Sequence, residues 1–150
     1  MRGNRTAAAA LGAAMMWAVL GACGGGSSDS NTTGPDNSTV EGTYVLKTVD
    51  GTTPPGIYHL TASERLMLDS ATIRLSANNA YSDIRKTTLF DVTGEHSATD
   101  TKTGTWSFAD GTVSFSYNND LGIPSTATAT WSSGTMTKTE NGVVLVFKKK

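Results

Sequence analysis

From about Val40 onward, apolar and polar residues alternate along the chain with a period of two. The clearest run is TGTWSFADGTVSFSY, where Trp106 and Phe108, and then Val113, Phe115 and Tyr117, are separated by Ser or Thr or by an Asp-Gly pair. Strict alternation is typical of a strand that buries one face. Asp-Gly, Ser-Gly and Asn-Gly pairs between such runs indicate two-residue turns. The pattern predicts an all-β domain over residues 40–150, with roughly eight strands.

The short connections indicate how these strands are arranged. Strands joined by tight turns are antiparallel neighbours in most folds, so we expect a meander. A meander of this many strands either closes, which removes its edges, or stays open and must cover them. We expect a closed up-and-down barrel, with a β-sandwich as the alternative.

Two segments interrupt the regular pattern. LTASERLML is compatible with a short helix capped by Ser63 or with a strand through Arg65–Leu68. Pro54-Pro55-Gly56 predicts an irregular stretch between the first and second strands, which either covers an open end of the barrel or only connects the strands.

The first 22 residues have a different character. Arg2 and Arg5 precede about fourteen apolar residues, AAAALGAAMMWAVL, and a small Gly-Ala pair follows. This order is typical of a secretory signal, and the apolar run is shorter than the roughly 20 residues of a membrane span. We therefore expect residues 1–22 to be removed and the protein to be exported.

The only cysteine lies directly after this segment. Leu20-Gly21-Ala22-Cys23 resembles the lipobox of bacterial lipoproteins. The resemblance implies cleavage before Cys23 and attachment of a diacylglycerol to its thiol, with an acyl group on its amino nitrogen, and two or more chains hold a protein stably in a membrane. Because Gly24 and not aspartate follows, it also implies the outer membrane in a diderm cell. A free or intermolecularly paired cysteine is the alternative.

The residues after the cysteine predict a tether. Residues 24–39, GGGSSDSNTTGPDNST, contain no apolar side chain larger than proline, so they cannot offset the entropy cost of ordering. We expect residues 23–39 to form a lipidated, flexible linker before the β domain.

Charge and motifs exclude several functions. The formal net charge is -1, and without residues 1–22 there are 10 basic and 13 acidic residues, so nothing resembles the basic stripe of a nucleic-acid-binding protein. The sequence has no Gly-x-Ser-x-Gly or Ser-x-x-Lys motif, and neither His59 nor His96 has an evident catalytic partner. No phosphate loop or nucleotide fingerprint occurs. We predict no enzymatic activity and no cofactor.

One segment contains several groups able to bind a metal ion. Asp91, Glu95, His96 and Asp100 lie in DVTGEHSATD, which the pattern predicts to be a single loop. Such a loop would hold at most a weak divalent ion, and a solvated hairpin tip is the expectation. We therefore predict no metal site.

The order of the segments also carries a family resemblance. GTYVLKTVDGTTPPG, ATIRLSANNAYSD, TGTWSFADGTVSFSY and SGTMTKTENGVVLVFKK, which together span about Val40 to Lys149, resemble the lipocalin-like domains of small bacterial lipoproteins. The resemblance implies a barrel with room for a small apolar molecule. It departs from true lipocalins at the first strand, where Gly42-Thr43-Tyr44 replaces Gly-x-Trp.

Six aromatic residues fall on the inward face of the expected barrel. They are Trp106, Phe108, Phe115, Tyr117, Trp131 and Phe147. An eight-stranded barrel is either filled by its own side chains or holds one small ligand. Two functions follow: a membrane-anchored, non-enzymatic module that binds a small apolar ligand among these residues, or a filled barrel that contacts another envelope component. The sequence gives no oligomeric state.

Overall fold

The computed structural model describes residues 36–150. Asp36 caps a single helical turn, α1 (Asn37–Val40), by accepting a hydrogen bond from the backbone N–H of Thr39. This turn was not predicted, and its last residue, Val40, is fully buried. No helix among the described residues is long and apolar enough to cross a membrane. The predicted signal, Cys23 and most of the predicted linker lie outside the described residues.

The rest of the described chain consists of strands and short turns. The nine strands are β1 (Gly42–Val49), β2 (Gly56–Leu60), β3 (Arg65–Leu75), β4 (Ala80–Asp91), β5 (Gly94–Ala109), β6 (Thr112–Asn118), β7 (Pro124–Ser132), β8 (Thr135–Glu140) and β9 (Val143–Lys149).

Eight of these strands form a closed antiparallel barrel. Their order is β1-β9-β8-β7-β6-β5-β4-β3, and pairing of β1 with β3, from Gly42 opposite Leu75 to Val45 opposite Thr72, closes the ring. The ninth strand, β2, lies outside the ring and pairs with the start of β3. The predicted lipocalin-like up-and-down barrel is therefore confirmed, and the sandwich alternative is wrong.

The two-residue turns form where the sequence predicts them. Both residues of four turns have positive φ angles, which match the twist of the flanking strands; three of the four begin with Asp or Asn, and all four end with Gly. These are Asp50-Gly51, Asp110-Gly111, Ser133-Gly134 and Asn141-Gly142.

The first turn nevertheless does not produce a hairpin of neighbouring strands. Val49 and Thr52 form a single bridge, after which Pro54 and Pro55, which have no N–H group, cannot continue a ladder. The chain then leaves β1 and pairs with β3 from Gly56 onward. The expectation that successive strands are antiparallel neighbours is therefore not met between β1 and β2.

The segment LTASERLML is a turn and a strand. Thr61 Oγ1 accepts a hydrogen bond from the N–H of Glu64 at 3.0 Å, and β3 begins at Arg65. The first half of β3 is paired on both sides, with β2 and with β4. The strand alternative is therefore confirmed and the helix alternative is wrong, because pairing on two sides outweighs a weak local helix signal.

The predicted acidic loop is also mostly strand. β4 and β5 pair without interruption from Ala80 opposite Thr105 to Asp91 opposite Gly94. Only Val92 and Thr93 form the turn, so Glu95, His96 and Asp100 lie on β5.

The long β4–β5 hairpin projects beyond the barrel. β5 pairs with β6 only from Gly104 onward, so residues 94–103 pair with β4 alone. We call the sheet formed by β2, the first half of β3, residues 86–91 and residues 94–99 the extension. Residues 94–101 are all exposed.

Candidate functional site

The interior of the barrel has an apolar part and a charged part. Apolar residues at alternate strand positions form one core, and its largest fully buried members are Tyr44, Phe147, Leu68, Ile73, Met136 and Leu145. The same alternation places charged residues inside: Asp83 and Arg85 follow Tyr81 on β4, and Lys138 and Glu140 follow Met136 on β8. Asp83, Arg85 and Lys138 are only 2%, 8% and 6% exposed.

Arg85 is the centre of this charged cluster. Its Nε lies 3.1 and 3.0 Å from the two carboxylate oxygens of Asp83, and its Nη2 lies 2.7 Å from Asp83 Oδ2. Its Nη1 reaches Glu140 Oε2 at 2.5 Å and the hydroxyl of Tyr58 at 3.2 Å. One guanidinium group therefore joins three strands, β2, β4 and β8, through both of its edges.

Glu140 completes the cluster. Its Oε2 also accepts a hydrogen bond from the Tyr58 hydroxyl at 2.8 Å, and its Oε1 pairs with the ammonium group of Lys138. That ammonium group lies 5.3 Å from the centre of the Phe115 ring, so the charged part rests directly on the aromatic core.

These contacts fix the protonation states. Burial alone would raise the pKa of Glu140, but the hydrogen bond and charge of Arg85, together with Lys138, lower it to about 2. Burial alone would lower the pKa of Arg85, and its bonds to Asp83 and Glu140 outweigh that effect and raise it. Burial, and then the charge of Glu140, raises the pKa of Tyr58 to about 12. At neutral pH, Glu140 is therefore an anion, Arg85 a cation and Tyr58 uncharged.

Beside this cluster, the barrel wall has a gap between β7 and β8. β7 and β8 pair only at Thr130–Thr137, Trp131–Met136 and Ser132–Thr135, while β8 continues along β9 to Glu140. Residues 124–129 of β7 pair with β6 and not with β8. The two strands thus separate after three pairs.

This separation forms a cleft of about 440 Å³, which we call the lateral cleft. Its lining consists of Tyr58, Lys102, Tyr117, Thr126, Ala127, Thr128, Thr139, Glu140 and Asn141. Lys102 lies opposite Asp83 in the β4–β5 ladder, so it shares the inner face. Its ammonium nitrogen is 5.5 Å from the centre of the Tyr117 ring, and none of the ion pairs among residues 36–150 includes it.

The six predicted aromatic residues all belong to the core or pack against it. Trp106, Phe115 and Phe147 are buried, and Phe108, Tyr117 and Trp131 are partly buried. Tyr81 joins two of them, with ring centres 4.9 Å from Phe115 and 6.4 Å from Tyr117. Of the six, Tyr117 lines the lateral cleft. A ligand cavity lined by these six residues stays a prediction.

The indole groups of the core are held by hydrogen bonds. Trp131 Nε1 donates to the hydroxyl of Tyr44 at 2.8 Å, and Trp106 Nε1 donates to the carbonyl of Ser76 at 3.0 Å. The Phe108 and Trp131 rings meet edge to face with centres 5.7 Å apart. These partners give each ring one orientation in the core.

Other predicted site residues are separated by the fold. His59 lies on β2, whereas His96 lies on β5 with its Nε2 atom 2.8 Å from Thr93 Oγ1 and 3.7 Å from Asp91 Oδ1. No three His, Cys, Asp or Glu side chains within residues 36–150 are placed to hold a metal ion.

Sequence reasoning missed the charged cluster and the lateral cleft. A signal was present, because Asp83 and Arg85 continue the inward positions of Tyr81, and Lys138 and Glu140 continue those of Met136. The cleft had no such signal, because it depends on where β7 and β8 stop pairing. Comparisons with protein-family models, with curated proteins and with solved structures found no significant match to this chain.

Proposed function

We propose that this chain is an exported bacterial lipoprotein, held in the cell envelope by lipid on Cys23, in the outer membrane if the cell is diderm. The lipobox-like Leu20–Cys23 and the preceding signal-like segment support this proposal. Mass spectrometry of the membrane-extracted protein would find acyl groups on an amino-terminal Cys23. Cys23→Ser would release the protein from the membrane fraction, and the linker variant Ser27→Ala would not.

For the barrel domain we propose a non-enzymatic interaction function. The observation that carries it is the free edge of β5, residues 94–103, which pairs with β4 on one side only. An edge strand of this length presents a row of unpaired N–H and C=O groups, to which another extended strand can add. The continuous apolar core of the barrel supports the view that the domain is a rigid scaffold for this edge.

The partner strand that fits this edge is β5 of a second copy of the same protein. Antiparallel self-pairing centred on Ala98 would place His96 of each copy opposite Asp100 of the other. It would also place Glu95 opposite Thr101, so no two like charges meet. The two extensions would then form one continuous sheet.

Oxidative crosslinking in native membranes tests this arrangement. Ala98→Cys should give a disulfide-linked dimer, because directly opposite residues have Cβ atoms about 5 Å apart. Thr105→Cys is the matched control, since residue 105 lies on the same strand but is paired on both sides. Recovery of monomer alone from Ala98→Cys would contradict the proposal, as would equal crosslinking of the control.

A second candidate function is binding of a small apolar ligand among the core aromatics. One observation favours it: Phe115 pairs with Ala127 and Val113 pairs with Ala129, so small side chains lie beside large ones. An apolar fluorescent dye should then bind saturably and quench tryptophan emission. Absence of quenching would reject this function and leave the interaction function untouched.

A further inference from the structure

The charged groups in and beside the lateral cleft have a small excess of positive charge. The interior charges beside it are Arg85, Lys138, Asp83 and Glu140, which pair with one another, and Lys102 adds a third cation. The group as a whole therefore has a formal charge of +1 at neutral pH.

The carboxylates near the cleft are already occupied. Both oxygens of Asp83 accept hydrogen bonds from Arg85. One oxygen of Glu140 accepts hydrogen bonds from Arg85 and Tyr58, and the other pairs with the ammonium group of Lys138. A cationic ligand would have to displace one of these partners, and breaking a buried ion pair is strongly unfavourable. Lys102 is the charged group of the lining left to pair with a ligand, so the cleft favours an anion.

The remaining lining groups indicate which other chemical groups the ligand contains. Tyr117 offers a ring face, and Thr126, Thr128 and Asn141 add polar groups able to form hydrogen bonds. Ala127 is the one aliphatic side chain of the lining, so a long hydrocarbon chain would find little apolar surface. The volume of about 440 Å³ lies within the range of small-molecule sites.

We propose that the lateral cleft binds a small organic anion, a carboxylate or a phosphate monoester, whose charged group pairs with Lys102 beside the Tyr117 ring. Such a site differs from an apolar cavity in the centre of the barrel, because it opens through the wall between two separated strands. It shares with the free β5 edge only Lys102, whose side chain lies on the inner face, and the ligand would contact none of residues 94–101.

Calorimetric titration of the full mature lipoprotein in uncharged detergent, with benzoate and phenyl phosphate as probes, tests this site. We expect saturable binding of both, and at least tenfold weaker binding to Lys102→Gln. Lys102→Arg should retain binding because it keeps the charge. Lys86→Gln, an exposed lysine on β4, is the matched control and should bind like wild type.

Two further measurements test whether binding requires a negative charge and whether the natural anion is a lipid headgroup. Benzamide, which is uncharged, should not bind. If phosphatidylglycerol vesicles compete with benzoate and phosphatidylcholine vesicles do not, the natural anion is a lipid headgroup; without competition it is a free molecule. Equal binding of benzamide, equal weakening by Lys86→Gln, or no saturable binding to wild type would overturn the proposal.

Discussion

Tyr44 connects separate parts of the molecule through one hydroxyl group. The hydroxyl donates a hydrogen bond to the carbonyl of Val40 in α1 and accepts one from Trp131 Nε1 on β7. Tyr44 itself is fully buried. A single side chain of β1 therefore holds the helical turn and the opposite wall of the barrel.

Replacing Tyr44 by Phe should lower the free energy of unfolding by about 1–3 kcal/mol. The change removes only the hydroxyl, and it leaves the Val40 carbonyl and the Trp131 indole N–H without their partner. Urea unfolding followed by tryptophan fluorescence measures the loss. Tyr117→Phe is the matched control, because no hydrogen bond within residues 36–150 involves its hydroxyl. Equal stability of Tyr44→Phe and wild type would show that these hydrogen bonds are dispensable.

Glu140 should make the protein sensitive to acid. Its pKa is about 2 in the folded state against 4.5 ordinarily, so its ionised form stabilises the fold above about pH 4.5. This stabilisation is lost as the pH falls from 4.5 towards 2. At 1.36 kcal/mol per pKa unit the shift corresponds to about 3 kcal/mol.

Urea unfolding at several pH values, with wild type and Glu140→Gln, tests this effect. The variant should be less stable at pH 7, because Arg85 and Lys138 lose a buried counter-charge, and its stability should fall less between pH 4.5 and 2. Glu95→Gln, at an exposed position, should follow wild type. Parallel pH curves for Glu140→Gln and wild type would refute the assignment.

At the scale of elements, Gly104 shows why β4, β5 and β6 pack as they do. Gly104 pairs with Tyr81 on one side and with Tyr117 on the other. Because it has no side chain, the two tyrosine rings approach each other across β5. A Cβ atom on residue 104 would lie 2.1 Å from the Ser116 carbonyl oxygen and 2.9 Å from the Tyr81 ring.

Gly104→Ala should therefore destabilise the barrel by about 1–3 kcal/mol, the usual range for overpacking a core. The added methyl group meets backbone, which cannot move away as a flexible side chain would. Thermal unfolding compares it with Thr105→Ala, the exposed neighbour on the same strand. A melting temperature for Gly104→Ala equal to that of the control would argue against the close approach of β5 and β6.

At the scale of the whole molecule, stability depends on closure of the ring. β9 pairs with β1 on one side and with β8 on the other, and its residues Leu145 and Phe147 are fully buried. The last strand of the chain thus lies next to the first, and the barrel is complete only when both are in place.

Val146→Pro should prevent cooperative folding of the barrel. Val146 pairs with Thr48 of β1 and with Thr137 of β8, and proline has no N–H group to donate to either ladder. Circular dichroism during thermal unfolding would show a lost or strongly lowered transition. Val146→Ala separates the side-chain effect from the backbone effect and should retain a sharp transition. A cooperative transition in the proline variant near that of wild type would mean that β9 is not essential for closure.

Much of this architecture follows from local signals in the sequence. Alternation at Trp106, Phe108, Val113 and Phe115 predicts both the strands and the face that each buries, because side chains of a strand point alternately to its two sides. Asp110-Gly111 and the similar pairs predict the turns, because few residue pairs accept two successive positive φ angles. The sequence by itself therefore determines the class of fold. By resemblance, the lipobox-like motif at Cys23 also predicts where in the cell the protein lies.

Other features depend on which strands meet, and tertiary structure alone decides them. Closure through β1 and β3, the position of β2 outside the ring and the free edge of β5 each depend on where pairing starts and stops. Arg85 and Glu140 lie 55 positions apart in the chain, and no local pattern brings their side chains to 2.5 Å. The sequence specifies which residues face inward, but only the closed ring determines which of them become neighbours, because that depends on the register of all eight strands.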